Sequence, residues 1–295
     1  MSRPHLVFVH VGKCAGSSIS SALFRGGERF TELHGLNKFP HMRELVKNPS
    51  LFFLISVRDP VSRFLSSFYW DRWEKREKKG IEGPNGLWRE IFDTFETAND
   101  LAEALSSTEE APRTLAAKAL RNSYLHMHLG LSWYLPLDVA EMLPTDRTAT
   151  TRVEDIDDDF ASFAVKFGLE NPSRFFPLPR EKWAGRDKSL PDRNHLSDVA
   201  RENLRGMLAP DYAVLECLSR RGLLGERVVS VPNLRSIVRG GFPDIVPDAV
   251  ANYLRVKSRG FLRRVLEANG HTVANTDPRP HATPPPPLRP AAGNE

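Results

Sequence analysis

The sequence predicts an α/β protein with a small parallel sheet flanked by helices and an anion-binding loop behind its first strand. Three observations carry that prediction. His5–His10 (HLVFVH) and Leu51–Val57 (LFFLISV) are nearly unbroken apolar runs of strand length, as the buried strands of a parallel sheet are. Each run leads into a stretch with helical spacing of apolar residues. The first junction, Val11–Ser18, is small-residued and contains glycine, the strand–loop–helix arrangement that cradles phosphate groups.

The elements follow in chain order. After the first strand a helix is expected from about Gly16, with Ile19, Leu23 and Phe24 as its apolar positions. The run Leu51–Val57 ends at Arg58-Asp59-Pro60, where Asp59 suits a helix cap and Pro60 a first turn. That helix should run from Val61 to about Lys75, with Val61, Phe64, Leu65, Phe68 and Tyr69 on its apolar face and Glu74–Lys79 as a solvated end. Residues 84–145 read as mostly helical, broken at Pro84, Pro112, Gly130 and Pro136. Thr148–Val153 is a short strand candidate, followed by a helix over Asp155–Gly168. Residues 171–195, rich in Pro, Arg and Lys, read as a long loop, and Leu196–Leu208 and Asp211–Arg221 as two further helices. The organisation expected is a domain over 1–225, a basic helical extension over 226–275 and a Pro-rich tail over 276–295.

Composition narrows the function classes. The 295 residues are 40% hydrophobic and 26% charged, enough apolar material for a sizeable core and incompatible with wholesale disorder. No window reaches the roughly 18–20 uncharged apolar residues of a membrane span. The N-terminal run Leu6–Val9 is too short for a secretory core. The two cysteines, Cys14 and Cys217, exclude a disulfide framework, and without a CxxC a cysteine zinc site is excluded too. A reducing, cytoplasmic location is expected. The net charge of +4 arises wholly after residue 225, where 10 basic residues stand against 6 acidic ones. The folded part therefore lacks the basic excess of a nucleic-acid binder, and no nucleic-acid partner is expected.

A local anion pocket needs only a few donors, and two stretches supply them. Gly12-Lys13-Cys14-Ala15-Gly16-Ser17-Ser18 offers backbone N–H groups that small side chains leave accessible, two hydroxyls, a helix N-terminus and the Lys13 ammonium. It is not a Walker A loop, because Lys13 precedes Gly16 where that motif places lysine after its last glycine. The plainer alternative is a strand–turn–helix corner with a solvated lysine. Arg58 stands at the end of the second apolar run, and Ser66 follows eight residues on, about two helical turns away. Ligands collect at strand C-termini in parallel sheets, and the arginine fork grips oxyanions. Arg63, between them, reads as a surface helix residue.

Together these stretches resemble the signature loops of sulfotransferases that use 3′-phosphoadenosine 5′-phosphosulfate (PAPS), the carbohydrate sulfotransferases most closely. There the first loop commonly reads His-hydrophobic-Pro-Lys-Thr-Gly-Gly-Thr-Ser and the second Arg-Asp-Pro-hydrophobic-x-Arg-hydrophobic-x-Ser. Here they read His10-Val11-Gly12-Lys13-Cys14-Ala15-Gly16-Ser17-Ser18 and Arg58-Asp59-Pro60-Val61-Ser62-Arg63-Phe64-Leu65-Ser66. Thr151-Arg152-Val153-Glu154-Asp155 and Ala209-Pro210-Asp211-Tyr212 are weaker echoes, so the resemblance covers about residues 5–222. It implies a P-loop-like sulfotransferase fold. It also implies that Gly12–Ser18 bind the 5′-phosphosulfate and that Arg58 and Ser66 bind the 3′-phosphate. Lys13 would neutralise charge on the leaving group while the sulfuryl group passes in line to an acceptor hydroxyl, without a metal. The acceptor implied is a glycan or glycolipid, with small alcohols left open.

The chain departs from that pattern at Gly12 (for Pro), Cys14 (for Thr) and Ala15 (for Gly). Cys14, close to a lysine and a helix start, is expected to have a lowered pKa. Uronyl 2-O-sulfotransferases carry His-Gly-His ahead of the second strand, where a histidine deprotonates the acceptor; here the stretch is His34-Gly35-Leu36. His34 is the candidate general base, with Glu32 and His41 behind it, and a solvated loop residue is the plainer alternative. His10 is read as positioning the loop. His126 and His128, two apart on an expected helix, face different ways and do not form a metal pair. Arg186, Lys188 and Asn194 sit where some family members cover the cofactor. Two other readings stand beside the enzyme: a non-catalytic nucleotide-binding protein that keeps the fold, and a P-loop kinase-like phosphotransferase, which the lysine position disfavours. The basic amphipathic stretch near 249–268 is a candidate peripheral membrane contact, with a packed helix as its plainer alternative.

Overall fold

The computed structural model describes residues 3–34, 42–78, 86–122, 125–169, 172–176, 178 and 193–224. Strands β1 (His5–Val9), β2 (Phe30–Leu33), β3 (Leu51–Val57) and β4 (Thr148–Arg152) pair in parallel in the order β2-β1-β3-β4. The protein is thus α/β with a small four-stranded parallel sheet, and helices cover it on both sides. Helix α1 (Gly16–Arg25) connects β1 to β2, and α2 (Met42–Leu45) precedes β3.

Alternation along the strands decides what each face meets, since successive side chains point to opposite sides. Leu6 and Phe8 of β1 and Phe52 and Leu54 of β3 pack with Ile19, Ala22 and Leu23 of α1 and with Phe160, Phe163 and Phe167 of a later helix. Val7, Val9, Phe53 and Ile55 face the other way, toward Leu131, Tyr134, Val139, Leu215 and Leu218. β3 is buried at all seven positions, which is why its sequence reads as a continuous apolar run.

Helix α3 (Pro60–Arg72) starts as its sequence dictates. Pro60 opens the first turn, and the Asp59 carboxylate accepts from the Ser62 N–H at 2.8 Å. The chain continues as a π-helical segment over Trp73–Lys78. Then follow α4 (Leu87–Thr94), α5 (Ala98–Ala104), α6 (Glu110–Leu120), α7 (Leu131–Tyr134) and α8 (Leu137–Met142). Beyond β4 come α9 (Ile156–Phe167), α10 (Asp198–Met207) and α11 (Ala209–Arg220). A separate apolar cluster joins α3, α4, α5, α6 and α10 through Phe64, Phe68, Phe92, Leu101, Leu115 and Leu204.

Several expectations need correction. Pro112 does not break a helix: it is the third residue of α6, where a missing N–H costs no intrahelical bond. β2 was not anticipated, because Phe30–Leu33 is a four-residue, mostly half-buried edge strand with little apolar signal. Phe24, counted among the apolar positions of the first helix, is 79% exposed. His126 and His128 lie in a turn between α6 and α7 rather than on a helix. Arg63 is not on the surface but 1% exposed, beneath the loop. Gly35, Leu36, His41, Pro84, Arg186, Lys188, the stretch near 249–268 and everything in 226–295 lie outside the described residues. Among the described residues no helix is long and apolar enough to cross a membrane.

Candidate active site

The loop leaving β1 is held in a conformation that ordinary residues avoid. Lys13 and Ala15 have φ of 66° and 56°, the left-handed region that costs a non-glycine residue about 1 kcal/mol or more. Two glycines are required by close neighbours. A Cβ at Gly16 would lie 1.8 Å from His10 Cδ2, so the His10 ring occupies the space a side chain would take. A Cβ at Gly12 would lie 2.8 Å from Tyr134 Oη and 3.5 Å from His126 Cδ2.

This geometry delivers an open helix N-terminus. Ala15 is the cap residue of α1 and provides no side-chain cap, and the first turn carries no acidic residue. The first N–H groups of a helix lack intrahelical partners, so Gly16, Ser17 and Ser18 present donors and the positive end of the helix dipole. Ser17 is exposed and Ser18 half-buried. Cys14 takes no part: its N–H donates to the Val11 carbonyl at 3.2 Å, and its side chain is buried among β1 and β3 residues. Burial pushes the Cys14 thiol up to about 12, despite the nearby guanidinium groups of Arg63 and Arg58. The expected lowering does not occur, because desolvation of a thiolate outweighs adjacent positive charge when the sulfur faces the core.

Lys13 is half-buried, and its Nζ lies 3.7 Å from the centre of the Trp70 ring. Desolvation lowers its pKa from 10.5 to about 8, with the Asp71 carboxylate opposing the shift. Arg58 Nη1 approaches the Lys13 carbonyl oxygen at 3.5 Å. The two stretches singled out in the sequence therefore converge: the cation at the end of β3 stands against the loop at the end of β1. Ser66 is half-buried on α3. Arg63 lies below, donating from Nη1 to Ser67 Oγ at 3.3 Å and to the His126 carbonyl at 3.2 Å.

Histidines ring the loop. The His10 ring is hydrogen-bonded through Nδ1 to the Glu32 carboxylate, which is held below the usual carboxylate range mainly by that bond. The His34 ring stacks on it with centroids 4.0 Å apart and lies 6.3 Å from that of Tyr134. His34 Nδ1 is 3.0 Å from the His10 carbonyl. A carbonyl only accepts, so this nitrogen carries hydrogen and the neutral ring keeps its lone pair on Nε2. Burial, and then the neighbouring His10, lower the His34 pKa.

Comparison with protein-family models, curated proteins and solved structures finds no match.

The site thus stands on its own geometry. Gly12, Lys13, Ala15, Gly16, Ser17, Ser18 and Arg58 are brought together, and His34 reaches the same loop through His10. Tyr212 and Asp211 are structural clamps: Tyr212 Oη donates to Asp59 Oδ2 at 3.3 Å, and Asp211 Oδ1 accepts from Ser132 N–H at 2.8 Å. Sequence reasoning missed the pairing of Asp71 with His126, whose Nδ1 and Oδ1 are 2.7 Å apart. The two residues lie 55 positions apart, and neither belongs to a recognisable motif. An aspartate directly after a run of aromatic residues, Phe68-Tyr69-Trp70-Asp71, is the one available signal.

Proposed function

We propose that the protein transfers the sulfuryl group of PAPS to a hydroxyl of an acceptor, a glycan or glycolipid by family resemblance. The observation that carries this reading is the convergence of Arg58 on the Lys13 carbonyl beside the uncapped start of α1. An uncapped helix start with a lysine, and a separate guanidinium beside it, suit a ligand with two anionic groups. The loop fits the 5′ group: glycines where side chains would clash, unpaired helix N–H donors and a lysine. Arg58, with Ser66 two turns along α3, serves the 3′-phosphate.

In this scheme the chemistry is electrostatic. Lys13, held half-buried beside Trp70, places its ammonium where the bridging oxygen gains charge as the phosphate leaves. Its depressed pKa fits a cation held without a counter-charge, because an arriving phosphate stabilises the charged form. A histidine beside the loop accepts the acceptor's proton. A kinase-like phosphotransferase is the weaker alternative, since Lys13 sits before α1 in a left-handed turn rather than on the helix. A non-catalytic nucleotide binder would share the pocket without turnover.

The test is transfer of label from [35S]PAPS to a panel of oligosaccharides, glycolipids and simple phenols, with Lys13→Ala as control. Labelled product from the wild type and none from the variant is expected. Bisphosphate binding with no labelled product across the panel would favour the non-catalytic reading.

A further inference from the structure

Asp71 is a fully buried carboxylate on the helix that carries Arg63 and Ser66, and both its oxygens are occupied. Oδ1 lies 2.7 Å from His126 Nδ1, and Oδ2 accepts from the Met127 N–H at 3.1 Å. The His126 carbonyl accepts in turn from Arg63 Nη1 at 3.2 Å. Ring, carbonyl and following peptide are each tied to a buried charged side chain of α3. A turn residue whose side chain is 27% exposed is thereby held in one orientation by three hydrogen bonds.

The fixed ring faces the loop. Its Cδ2 is 3.5 Å from where a Gly12 Cβ would be, and its edge meets the Trp70 ring, centroids 6.4 Å apart, which also carries the Lys13 ammonium. With Nδ1–H donated to the carboxylate, Nε2, the neighbour of Cδ2, bears the lone pair. Among the described residues no hydrogen bond engages Nε2. The carboxylate–imidazole arrangement fixes the tautomer and stabilises the imidazolium that forms on proton uptake.

We propose that His126, positioned by Asp71, is the general base that deprotonates the acceptor hydroxyl, and that His34 is a positioning residue. The inference rests on the sulfotransferase reading above. In the step, the acceptor O–H proton passes to His126 Nε2 as the acceptor oxygen bonds sulfur. The sulfur–oxygen bond to the 5′-phosphate breaks, and its electron pair leaves on the phosphate oxygen, which Lys13 neutralises. The imidazolium remains paired with the Asp71 carboxylate. His34 is the poorer base on this geometry: its ring lies against His10 and near Tyr134, among the described residues no carboxylate hydrogen-bonds it, and burial, the His10 ring and His126 together outweigh the His10 carbonyl and Glu32, which favour its protonation. Charged or titratable groups around His126 are Asp71 and Arg63 of α3, Tyr134 of α7, Lys13 of the loop and His34 behind β2.

The experiment uses the full chain and three readouts. Imidazole 15N NMR of the wild type reports the tautomer directly, and neutral His126 should carry its proton on Nδ1. Sulfate release from PAPS, with water as acceptor, is followed from pH 5 to 9 for the wild type, His126→Gln and His34→Gln. His126→Gln should lose about 10²- to 10⁴-fold in rate together with the limb that rises with pH, while His34→Gln keeps that limb. Stabilisation by adenosine 3′,5′-bisphosphate should persist in both variants, which also shows that they are folded. A proton on His126 Nε2, or a His126→Gln variant that keeps the wild-type rate and limb, overturns the assignment. Failure of the wild type to be stabilised by the bisphosphate instead removes the sulfotransferase reading, and the assignment with it.

Discussion

Lys13→Gly should make the unliganded protein more stable while making it blind to the bisphosphate. A lysine lowered from 10.5 to about 8 by desolvation holds its charge at a cost of about 3 kcal/mol, at ~1.36 kcal/mol per pKa unit. Solvent reaches this half-buried side chain, and screening reduces that to about 1.5 kcal/mol. Relief of the left-handed backbone at φ 66° adds about 1 kcal/mol. Against these stand about 1 kcal/mol for the lost contact with Trp70 and about 0.7 kcal/mol for glycine's greater freedom when unfolded. The balance is a gain of about 1 kcal/mol, or about 2–4 °C in Tm for a domain of this size. The gain should depend on pH with a definite sign. Between about pH 8 and 10.5 the unfolded wild type binds more protons than the folded form, so wild-type stability rises with pH there. The charge part of the variant's advantage is therefore complete below about pH 8 and gone by 10.5. Urea unfolding at pH 7 and pH 10 measures both effects. A variant destabilised by more than about 1 kcal/mol at pH 7 would show instead that Lys13 is a structural residue.

Three further outcomes are expected. Gly16→Ala should destabilise by about 2 kcal/mol or more, because the new methyl falls inside the His10 ring; an unchanged urea midpoint would contradict this. Cys14, buried with its pKa pushed up to about 12, should resist iodoacetamide at pH 8 in the native protein, and labelling at the rate of a free thiol would contradict that. Bisphosphate affinity should weaken as pH rises through about 8, where Lys13 loses its charge, and Lys13→Arg should abolish the dependence. Calorimetric titration from pH 6 to 9.5 tests it, and a flat wild-type profile would remove Lys13 from the anion site.

What was legible in the sequence follows from how local each signal is. β1, β3 and β4 are legible, because a strand buried on both faces must be largely apolar or β-branched, as LFFLISV is apart from Ser56 and TATTR apart from its last residue, Arg152. The α3 start was legible because Asp59 and Pro60 act within one turn. β2 was not, since a four-residue edge strand needs only its partner's backbone. Arg63 and Cys14 differ from their sequence reading for one reason: an arginine and a loop thiol each suit an exposed position by residue type, and only tertiary packing puts them inside. Arg58 and Lys13 were identified one motif at a time, and their meeting depends on β1 and β3 being neighbours. The Asp71–His126 pair joins α3 to the turn before α7, a contact that no spacing along the chain encodes.

The proposed role of Arg58 and the loop after β1 is to read, together, a nucleotide carrying phosphates at both its 3′ and 5′ positions. Its most direct test is the shift in Tm with adenosine 3′,5′-bisphosphate beside 5′-AMP, which differs only by the 3′-phosphate. At a hundredfold excess over its dissociation constant the bisphosphate should stabilise the protein by about 2.7 kcal/mol, with little change from 5′-AMP and none from either ligand in Lys13→Gly. Equal shifts from the two nucleotides, or no shift from either, would mean that Arg58 and Ser66 do not read a 3′-phosphate, and the protein would not use PAPS in the proposed way.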